Sequence, residues 1–268
     1  AQMADPSPLL AYLSAPVPLS LPAEDLSRLL APFGGSSDAR PLSLAILSRA
    51  LDGSTTSALL SSVTTLLASP VTRIAGLDTL TALLQVAPPT ALSLLASPAL
   101  AQAFASTVTA IASSKPGPVE SRTALVQLLV EAASVSALRA QVRDSAGEWL
   151  ESVLVGEQDA LVQATAAVAV IKLRLGSEPA DERGLDAIGA QLASLYTAGA
   201  GDVALEGLSY LTLGGTKSAS PIKSALVVPD SAFLAALLPT ELPRQRAAPS
   251  AYTLATLLHH LTLYQIGR

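Results

Sequence analysis

The chain has 268 residues, of which half are hydrophobic and only 3% are aromatic, and its formal net charge is −5. Its scattered Lys and Arg residues do not form the basic stripe typical of nucleic-acid-binding proteins. The absence of cysteine excludes disulfides and thiol chemistry and fits a reducing compartment. The mean hydropathy is +0.48, yet uninterrupted apolar runs such as Ala166–Ile171 are far shorter than the roughly 18 residues of a membrane-spanning helix.

The composition predicts an all-α protein. Most of the apolar residues are Ala and Leu, which are strong helix formers, whereas the aromatic residues that favour strands are scarce. The first residues, AQMADPSPLL, lack the basic region and the long apolar core of a signal peptide. We therefore expect a cytoplasmic protein, with Ala1–Ser7 either disordered or left over from expression.

Proline and glycine divide the chain into helical segments. Leucines at helical spacing behind Pro22 and an acidic first turn predict a helix over 22–30. The sequence Leu-Leu-Ala-Ser-Pro occurs at 66–70 and again at 94–98. Each copy predicts the end of one helix, followed by Ser as the N-cap and Pro as the first residue of the next helix. Short breaks between such helices fit stacked helical hairpins.

The segment Asp159–Leu175 is apolar nearly all the way round, so a helix here must be covered on every side. Most helices of a two-layer bundle keep a solvated face, whereas the central helix of each solenoid repeat lies between its neighbours. We therefore predict an armadillo/HEAT-like right-handed α-solenoid of roughly six repeats, each of about 40–47 residues, as a single domain over 8–268. The tetratricopeptide alternative requires Trp and Tyr at fixed positions, which one Trp does not supply.

The stretch LEGLSYLTLGGTKS at 205–218 has two interpretations. A short strand followed by glycines and Lys-Ser suggests a phosphate-binding loop, whereas an apolar helix ending at two glycines suggests a scaffold. A phosphate-binding loop needs a Gly directly before its Lys, and here Thr216 separates Gly215 from Lys217. We favour the helix, followed by a loop over 214–220.

Two further patterns resemble catalytic or metal-binding motifs. Ser220-Pro-Ile-Lys223 matches the Ser-x-x-Lys of penicillin-recognising serine enzymes, but the companion Ser-Asp-Asn and Lys-Thr-Gly elements are missing. His259 and His260 are the only histidines, and neighbouring residues on a helix point about 100° apart, so they do not share a metal. We expect one packed histidine and one at the surface.

The remaining polar and aromatic candidates have structural interpretations. The pairs Glu24-Asp25 and Asp181-Glu182 are expected at helix starts, where acidic residues interact favourably with the helix dipole. Trp149 is expected to be a core anchor, with an interface role as the alternative. We therefore predict no catalytic, cofactor-binding or metal-binding residue, no cofactor and no enzymatic activity, and we assign no partner-binding residue.

The C-terminal part of the chain contains three stretches that form a recognisable pattern. They are AVAVIKL at 167–173, ALEGLSYLTL at 204–213 with Ile222-Lys223, Asp230 and Phe233-Leu234 behind it, and YTLATLLHHLTLY at 252–264. Together they resemble the central armadillo-repeat region of the UCS-family myosin chaperones. The resemblance extends over 160–268 and suggests a diverged, fungal-type member without a tetratricopeptide module.

This chain departs from the family pattern at several positions. The family has Asn where this chain has His260, and Arg where it has Gln265, and its spacer after Leu213 is shorter. An Asn in place of His260 would suit hydrogen bonding between helices. Glu206 and Lys223 match family positions and are expected either to brace neighbouring helices or to contact a partner.

The resemblance implies a non-catalytic scaffold, the neck or central arm of a myosin-directed chaperone. This arm would position a downstream client-binding UCS domain for myosin motor folding and actomyosin assembly. The implied partners are the myosin motor heavy chain, mainly through that downstream domain, Hsp90-type chaperones, and a second copy of the chain. Neither nucleic acid nor a membrane span is expected, and we expect the natural reading frame to continue past Arg268.

Two alternatives are kept. One is an unrelated armadillo/HEAT adaptor for transport or trafficking, although an importin-like groove needs a ladder of Trp and Asn that one Trp does not provide. The other is a helical enzyme or ligand-binding bundle, which would require a convergent polar pocket. A β-sheet near 205–213 would contradict the fold prediction.

Overall fold

A computed structural model describes residues 7–35, 38–114, 118–213, 219–229, 231–237 and 248–262. Over these ranges the chain forms helices joined by short turns and contains no β-strand. It divides into two compact units, Ala1–Leu138 and Arg139–Arg268, and each contains buried aliphatic side chains. The predicted all-α class is confirmed, and each unit packs successive helices against one another as an α-solenoid does.

The first unit contains the helices α1 (Ser7–Leu10), α2 (Ala23–Leu30), α3 (Arg40–Leu47), α4 (Gly53–Ala68), α5 (Arg73–Val86), α6 (Pro88–Leu95), α7 (Pro98–Ser113) and α8 (Val119–Ser134). Helix α5 packs against α3, α4, α6 and α8, so it lies at the centre of the unit. A parallel backbone bridge joins Leu19 to Leu51, with the Leu19 N–H donating to the Ala50 oxygen at 2.7 Å. This bridge fixes the segment before α2 beside the segment before α4.

The second unit contains the helices α9 (Arg139–Gly156), α10 (Ala160–Leu175), α11 (Leu185–Leu195), α12 (Gly201–Thr212), α13 (Ala219–Leu226), α14 (Ala232–Leu237) and α15 (Ala248–Thr262). A π-helical turn at Tyr196–Ala200 joins α11 to α12. Gly199 and Gly201 have φ angles of 102° and 55°, which residues with a Cβ rarely adopt. These two glycines allow the chain to reverse so that α12 packs on α11.

The helices that stack at the centre of the two units begin at regular intervals. Helix α5 packs on α8 in the first unit, and α10, α12 and α15 pack in succession in the second. These stacking helices start at Arg73, Val119, Ala160, Gly201 and Ala248, which are 46, 41, 41 and 47 residues apart. These intervals match the repeat of about 40–47 residues of armadillo and HEAT proteins. The handedness, the number of repeats and the single domain over 8–268 stay predictions.

Helix α10 is buried on every side, as its apolar sequence predicts. Val162, Leu173 and every residue of 164–171 are buried, because α9, α11 and α12 surround the helix. The Asp159 carboxylate accepts hydrogen bonds from the N–H groups of Leu161 and Val162, both at 3.0 Å. This N-cap satisfies two of the backbone donors at the start of the helix.

The two Leu-Leu-Ala-Ser-Pro copies have different structures. Pro98 is the first residue of α7 and Ser97 is its N-cap, which confirms the prediction for the second copy. The prediction for the first copy is wrong, because Pro70 lies in a turn and α5 begins only at Arg73. The Thr72 hydroxyl donates to the Leu66 oxygen at 2.9 Å and closes this turn before the helix starts.

Candidate functional site

The stretch at 205–213 is helical, which excludes its interpretation as a strand. Residues 205–212 belong to α12, which packs against α10, α11 and α15. Leu205, Leu208 and Leu211 are buried and form its packed face. The glycines and the Lys-Ser pair that follow, at 214–218, lie outside the described residues. The predicted loop over 214–220 is wrong at its end, because Ala219 and Ser220 already belong to α13.

Lys172 of α10 contacts two residues of the Glu-Gly-Leu-Ser-Tyr motif on α12. Its Nζ lies 3.2 Å from Glu206 Oε1 and 5.2 Å from the centre of the Tyr210 ring. The Lys172 side chain is 12% exposed and that of Glu206 is 40% exposed, so the pair sits at the edge of the interface. Such an ion pair contributes about 1 kcal/mol or less, and the cation–π contact about 0.5–1 kcal/mol. Glu206 therefore braces α12 against α10, one of its two predicted roles.

Gly207 allows α12 to approach α10 and α11 closely. A Cβ atom at this position would lie 2.6 Å from Leu192 Cδ1 and 3.3 Å from Val168 Cγ2. Both neighbours are buried, so neither has free space into which to move. The Glu-Gly-Leu sequence thus places an ion pair, a close helix contact and a core leucine on three successive residues.

His260 joins α15 to α12. Its Nδ1 lies 3.1 Å from the Ser209 carbonyl oxygen and 3.4 Å from Thr212 Oγ1, so the Nδ1–H tautomer donates to the carbonyl. This is the kind of contact between helices expected of an Asn, and the histidine preserves it. Burial lowers the pKa of His260 below its usual value. The hydrogen bond to Ser209 opposes this shift, and the positive charges of Lys223 and His259 reinforce it.

We expect α15 to pack less firmly on α12 as the pH falls. The folded-state pKa of His260 is depressed, so its contribution to stability is complete above the unfolded pKa of about 6.5 and is lost as the pH falls through the folded pKa. Hydrogen exchange of residues 248–262, corrected for intrinsic rates, should be faster at about pH 5.5 than at about pH 7.5. His260→Asn should abolish this difference, whereas the exposed-ring control His259→Asn should retain it. A pH dependence that persists in His260→Asn would contradict the assignment.

The first unit contains corresponding polar contacts between helices. Arg40 of α3 donates to both carboxylate oxygens of Asp78 on α5, at 2.5 and 2.9 Å, and the Gly34 N–H donates to Asp78 Oδ2 at 2.9 Å. Gln85 of α5 donates through Nε2 to Glu131 Oε1 of α8 at 2.8 Å.

Four contacts thus join helices of neighbouring repeats, and we refer to them as the polar ladder: Arg40–Asp78, Gln85–Glu131, Lys172–Glu206 and His260–Ser209. Each ladder contact links two helices that already pack through buried leucines. Directional hydrogen bonds restrict how such helices slide or rotate, which apolar packing alone does less strictly. The polar ladder therefore fixes the spacing of helices within each unit.

Replacing Asp78 by Ala should destabilise the first unit by about 2 kcal/mol, because the change leaves the Arg40 guanidinium and the Gly34 N–H without their acceptor. Urea unfolding of the variant measures the loss. Asp38→Ala removes an exposed carboxylate nearby and should change the free energy of unfolding by no more than about 0.5 kcal/mol. Equal effects of the two substitutions would show that the Asp78 contacts are not structural.

Among the described residues, Ser220 and Lys223 do not form a catalytic site, and His259 and His260 do not form a metal site. Ser220 is exposed and Lys223 half-buried, one turn apart in α13, and the Ser220 hydroxyl forms no hydrogen bond with a described residue. His259 is exposed while His260 is half-buried, as predicted, and their ring centres are 6.2 Å apart. Within the described ranges, no three His, Cys, Asp or Glu residues are arranged to hold a metal ion.

The two acidic pairs lie in different settings. Glu24 and Asp25 occupy the first turn of α2, as predicted, where Arg28 pairs with both at 2.5 and 3.2 Å. Asp181 instead lies in the loop before α11, so the prediction of a helix start is wrong for that pair. Its carboxylate accepts from Arg183 Nε and Nη2 at 2.8 and 2.7 Å, which holds the pKa of Asp181 well below its usual range.

Trp149 is half-buried in α9 and is not the core anchor that the sequence predicts. The buried residues of this helix are Val142, Ala146, Leu150, Val153 and Leu154. Trp149 directly precedes the buried Leu150, and neighbouring residues of a helix point about 100° apart. The Trp149 ring therefore lies at the side of the buried face. Apolar character alone does not distinguish the middle of a helix face from its border.

Two surface hollows are lined in part by ion pairs. One hollow of about 390 Å³ lies beside Arg40 and Asp78. The other, of about 320 Å³, lies beside Arg174, which pairs with Glu151 at 2.7 Å, and beside the Asp181–Arg183 pair. Among the residues that line these two hollows, no nucleophile is hydrogen-bonded to a base.

No single helix of the described chain has both the length and the apolar character needed to cross a bilayer. Two pairs of consecutive helices, each broken by a sharp bend, reach that composition only when taken together.

A family model described as "UNC45-central: Myosin-binding striated muscle assembly central" matches residues 13–198, well over half of the chain. The chain belongs to this family. Membership in the UNC45-central family confirms the resemblance to the UCS-family chaperones and implies a myosin-binding role in assembly. No curated protein and no solved structure matches the chain significantly.

The matched residues extend over both units. They include α2 to α11 and the Arg40–Asp78 and Gln85–Glu131 contacts of the polar ladder. The motifs at 204–213 and 252–264, on which the sequence resemblance mainly rests, lie after the last matched residue. Of the three stretches that carry the resemblance, only 167–173 lies inside the matched residues, so the UNC45-central match supports the same family mainly from a different part of the chain.

Proposed function

We propose that this chain is a non-catalytic scaffold, the central arm of a myosin-directed chaperone. The arm positions a downstream client-binding domain, encoded after Arg268, for folding of the myosin motor and for actomyosin assembly in the cytosol. The observation that supports this proposal most is the match of the myosin-binding assembly family over residues 13–198.

The packing within each unit suits a positioning role. The stacking helices repeat at 41–47 residues, and the polar ladder restricts their relative movement. A scaffold transmits geometry through such rigid contacts and requires no turnover. Hsp90-type chaperones and a second copy of the chain are the further partners that we propose.

A binding experiment with three proteins tests the division of labour. The proteins are the full product of the natural reading frame, the same product ending at Arg268, and the segment after Arg268 alone. We expect the myosin motor domain to be captured by the first and third proteins and at most weakly by the second. Motor refolding after heat should require both segments in one chain. If the protein ending at Arg268 captures the motor as strongly as the full product, the client site lies within this chain and the positioning role is wrong.

A further inference from the structure

The outer face of α9 carries three carboxylates and an exposed valine. Asp144, Glu148, Glu151 and Val155 are exposed and recur at intervals of three and four residues, so they lie along one face of the helix. The opposite face is buried, and α9 packs against α10. We refer to Asp144, Glu148, Glu151 and Val155 as the α9 face.

The carboxylates of the α9 face are only partly neutralised. Glu151 pairs with Arg174 at 2.7 Å, whereas Asp144 and Glu148 pair with no cation among the described residues. The one exposed arginine of this helix, Arg143, donates instead to the Leu173 oxygen at 3.2 Å. Like charges three and four residues apart destabilise a helix, so α9 keeps an arrangement that its own folding does not favour. Helix faces that keep such unfavourable like-charge spacings are typical of binding surfaces.

Two exposed aliphatic side chains flank the turn between α9 and α10. Val155 is 85% exposed and Leu161, at the start of α10, is 43% exposed. The turn between α9 and α10 is held in place by two glutamines. Gln163 Nε2 and Gln191 Nε2 both donate to the Leu154 carbonyl oxygen, at 2.7 and 2.6 Å. A surface that is already ordered loses little entropy when it binds a partner.

We infer that the α9 face docks a basic, amphipathic α-helix of a partner protein. Carboxylates spaced one helical turn apart match Lys or Arg residues spaced three or four apart on a second helix lying alongside. Val155 and Leu161 supply the apolar contact at one end. Phosphate groups of nucleic acids or anionic lipids would be repelled by the same carboxylates, which favours a protein as the partner. This inference goes beyond the proposed scaffold role and does not depend on it.

The test uses a defined probe and a charge-matched control. The probe is a fluorescent peptide of about 18 residues of Leu, Lys and Ala, with leucines on one face and lysines beside them. The test variant is Asp144→Lys/Glu148→Lys. The control, Asp38→Lys/Glu120→Lys, reverses two exposed carboxylates of the first unit and so gives the whole chain the same net charge. Circular dichroism melts establish that both variants are folded.

We expect the wild-type chain to bind the probe at micromolar concentrations in low salt, and added salt to weaken this binding. The α9 variant should bind about tenfold more weakly or worse, and the control within about twofold of wild type. Hydrogen exchange of residues 144–161 should slow when the probe binds. Val155→Ser should weaken binding by about threefold, because it removes apolar contact.

Three outcomes would overturn the inference. The first is an equal loss in both charge-reversed variants, which would mean that net charge alone attracts the probe. The second is the absence of binding by the wild-type chain at about 100 μM probe in low salt. The third is equal binding of a peptide in which Glu replaces every Lys. Because no myosin is used, these outcomes are independent of the test of the proposed function.

Discussion

Replacing Ala167 by Glu is expected to abolish the native fold of the second unit. Ala167 is fully buried in the middle of α10, within a run of eight buried residues at 164–171. A carboxyl group there finds no room and no cation, so it must be buried either charged and unpaired or protonated and without water. The cost exceeds about 5 kcal/mol, which is comparable with the whole stability of a typical domain.

The measurement for this prediction is thermal unfolding followed by far-ultraviolet circular dichroism. Wild type should unfold cooperatively, whereas Ala167→Glu should lose the transition of its second unit. Ala187→Glu makes the same change on the exposed side of α11 and should shift the free energy of unfolding by less than about 0.5 kcal/mol. A cooperative transition at the wild-type temperature in Ala167→Glu would show that α10 is not enclosed.

Gly207→Leu is expected to be the second most damaging change, with a loss of about 3 kcal/mol in the free energy of unfolding. The new side chain would begin 2.6 Å from Leu192 Cδ1 and would separate α12 from α10 and α11. The Lys172–Glu206 pair next to it should then break as well, because it depends on the same helix spacing.

A matched substitution separates steric conflict from the intrinsic helix preference of glycine. A Cβ atom at Gly147 of α9 would meet only Arg143 Cγ, at 3.8 Å, and this residue borders the open hollow of about 320 Å³. Gly147→Leu should therefore leave stability unchanged or raise it by up to about 1 kcal/mol, as leucine is the better helix former. Urea unfolding compares the two variants. If both have the same effect, the close approach at Gly207 is not limiting.

The fold class was predictable because local patterns determine it. Ala and Leu favour helices, proline and glycine separate them, and an all-round apolar segment such as Asp159–Leu175 must be enclosed. The same reasoning identified 205–212 as a helix, since its leucines recur at helical spacing. These predictions need only residues within one or two helical turns of each other.

The contacts between helices were not predictable in the same way. Lys172 and Glu206 are 34 residues apart, and Arg40 and Asp78 are 38 apart, so their pairing depends on the repeat interval and on helix rotation. The incorrect predictions have the same origin. A hydrogen bond from Thr72 closes a turn that sequence alone assigns to a helix start, and helix rotation places Trp149 at the border of a face.

The α9 face illustrates the limit for a candidate site. The spacing of Asp144, Glu148 and Glu151 is visible in the sequence, and so is the adjacent valine. The sequence does not show that Val155 remains outside the core or that Arg143 donates to the backbone oxygen of Leu173. Whether a charged helix face is only solvated or is available to a partner depends on two properties. They are the exposure of its apolar side chains and the pairing of its charged side chains with neighbours.

The interval between successive stacking helices has a consequence for how such a chain changes length. Ala160 and Gly201 begin equivalent helices 41 residues apart, so residues 160–200 form one complete interval of the second unit. Duplicating or deleting a whole interval keeps the packing of every later helix on its neighbours, whereas inserting a few residues inside a stacking helix rotates the residues that follow in that helix by about 100° per residue. Evolution and protein engineering can therefore lengthen or shorten this stack of helices only in whole-repeat steps if the contacts between the later helices are to be kept.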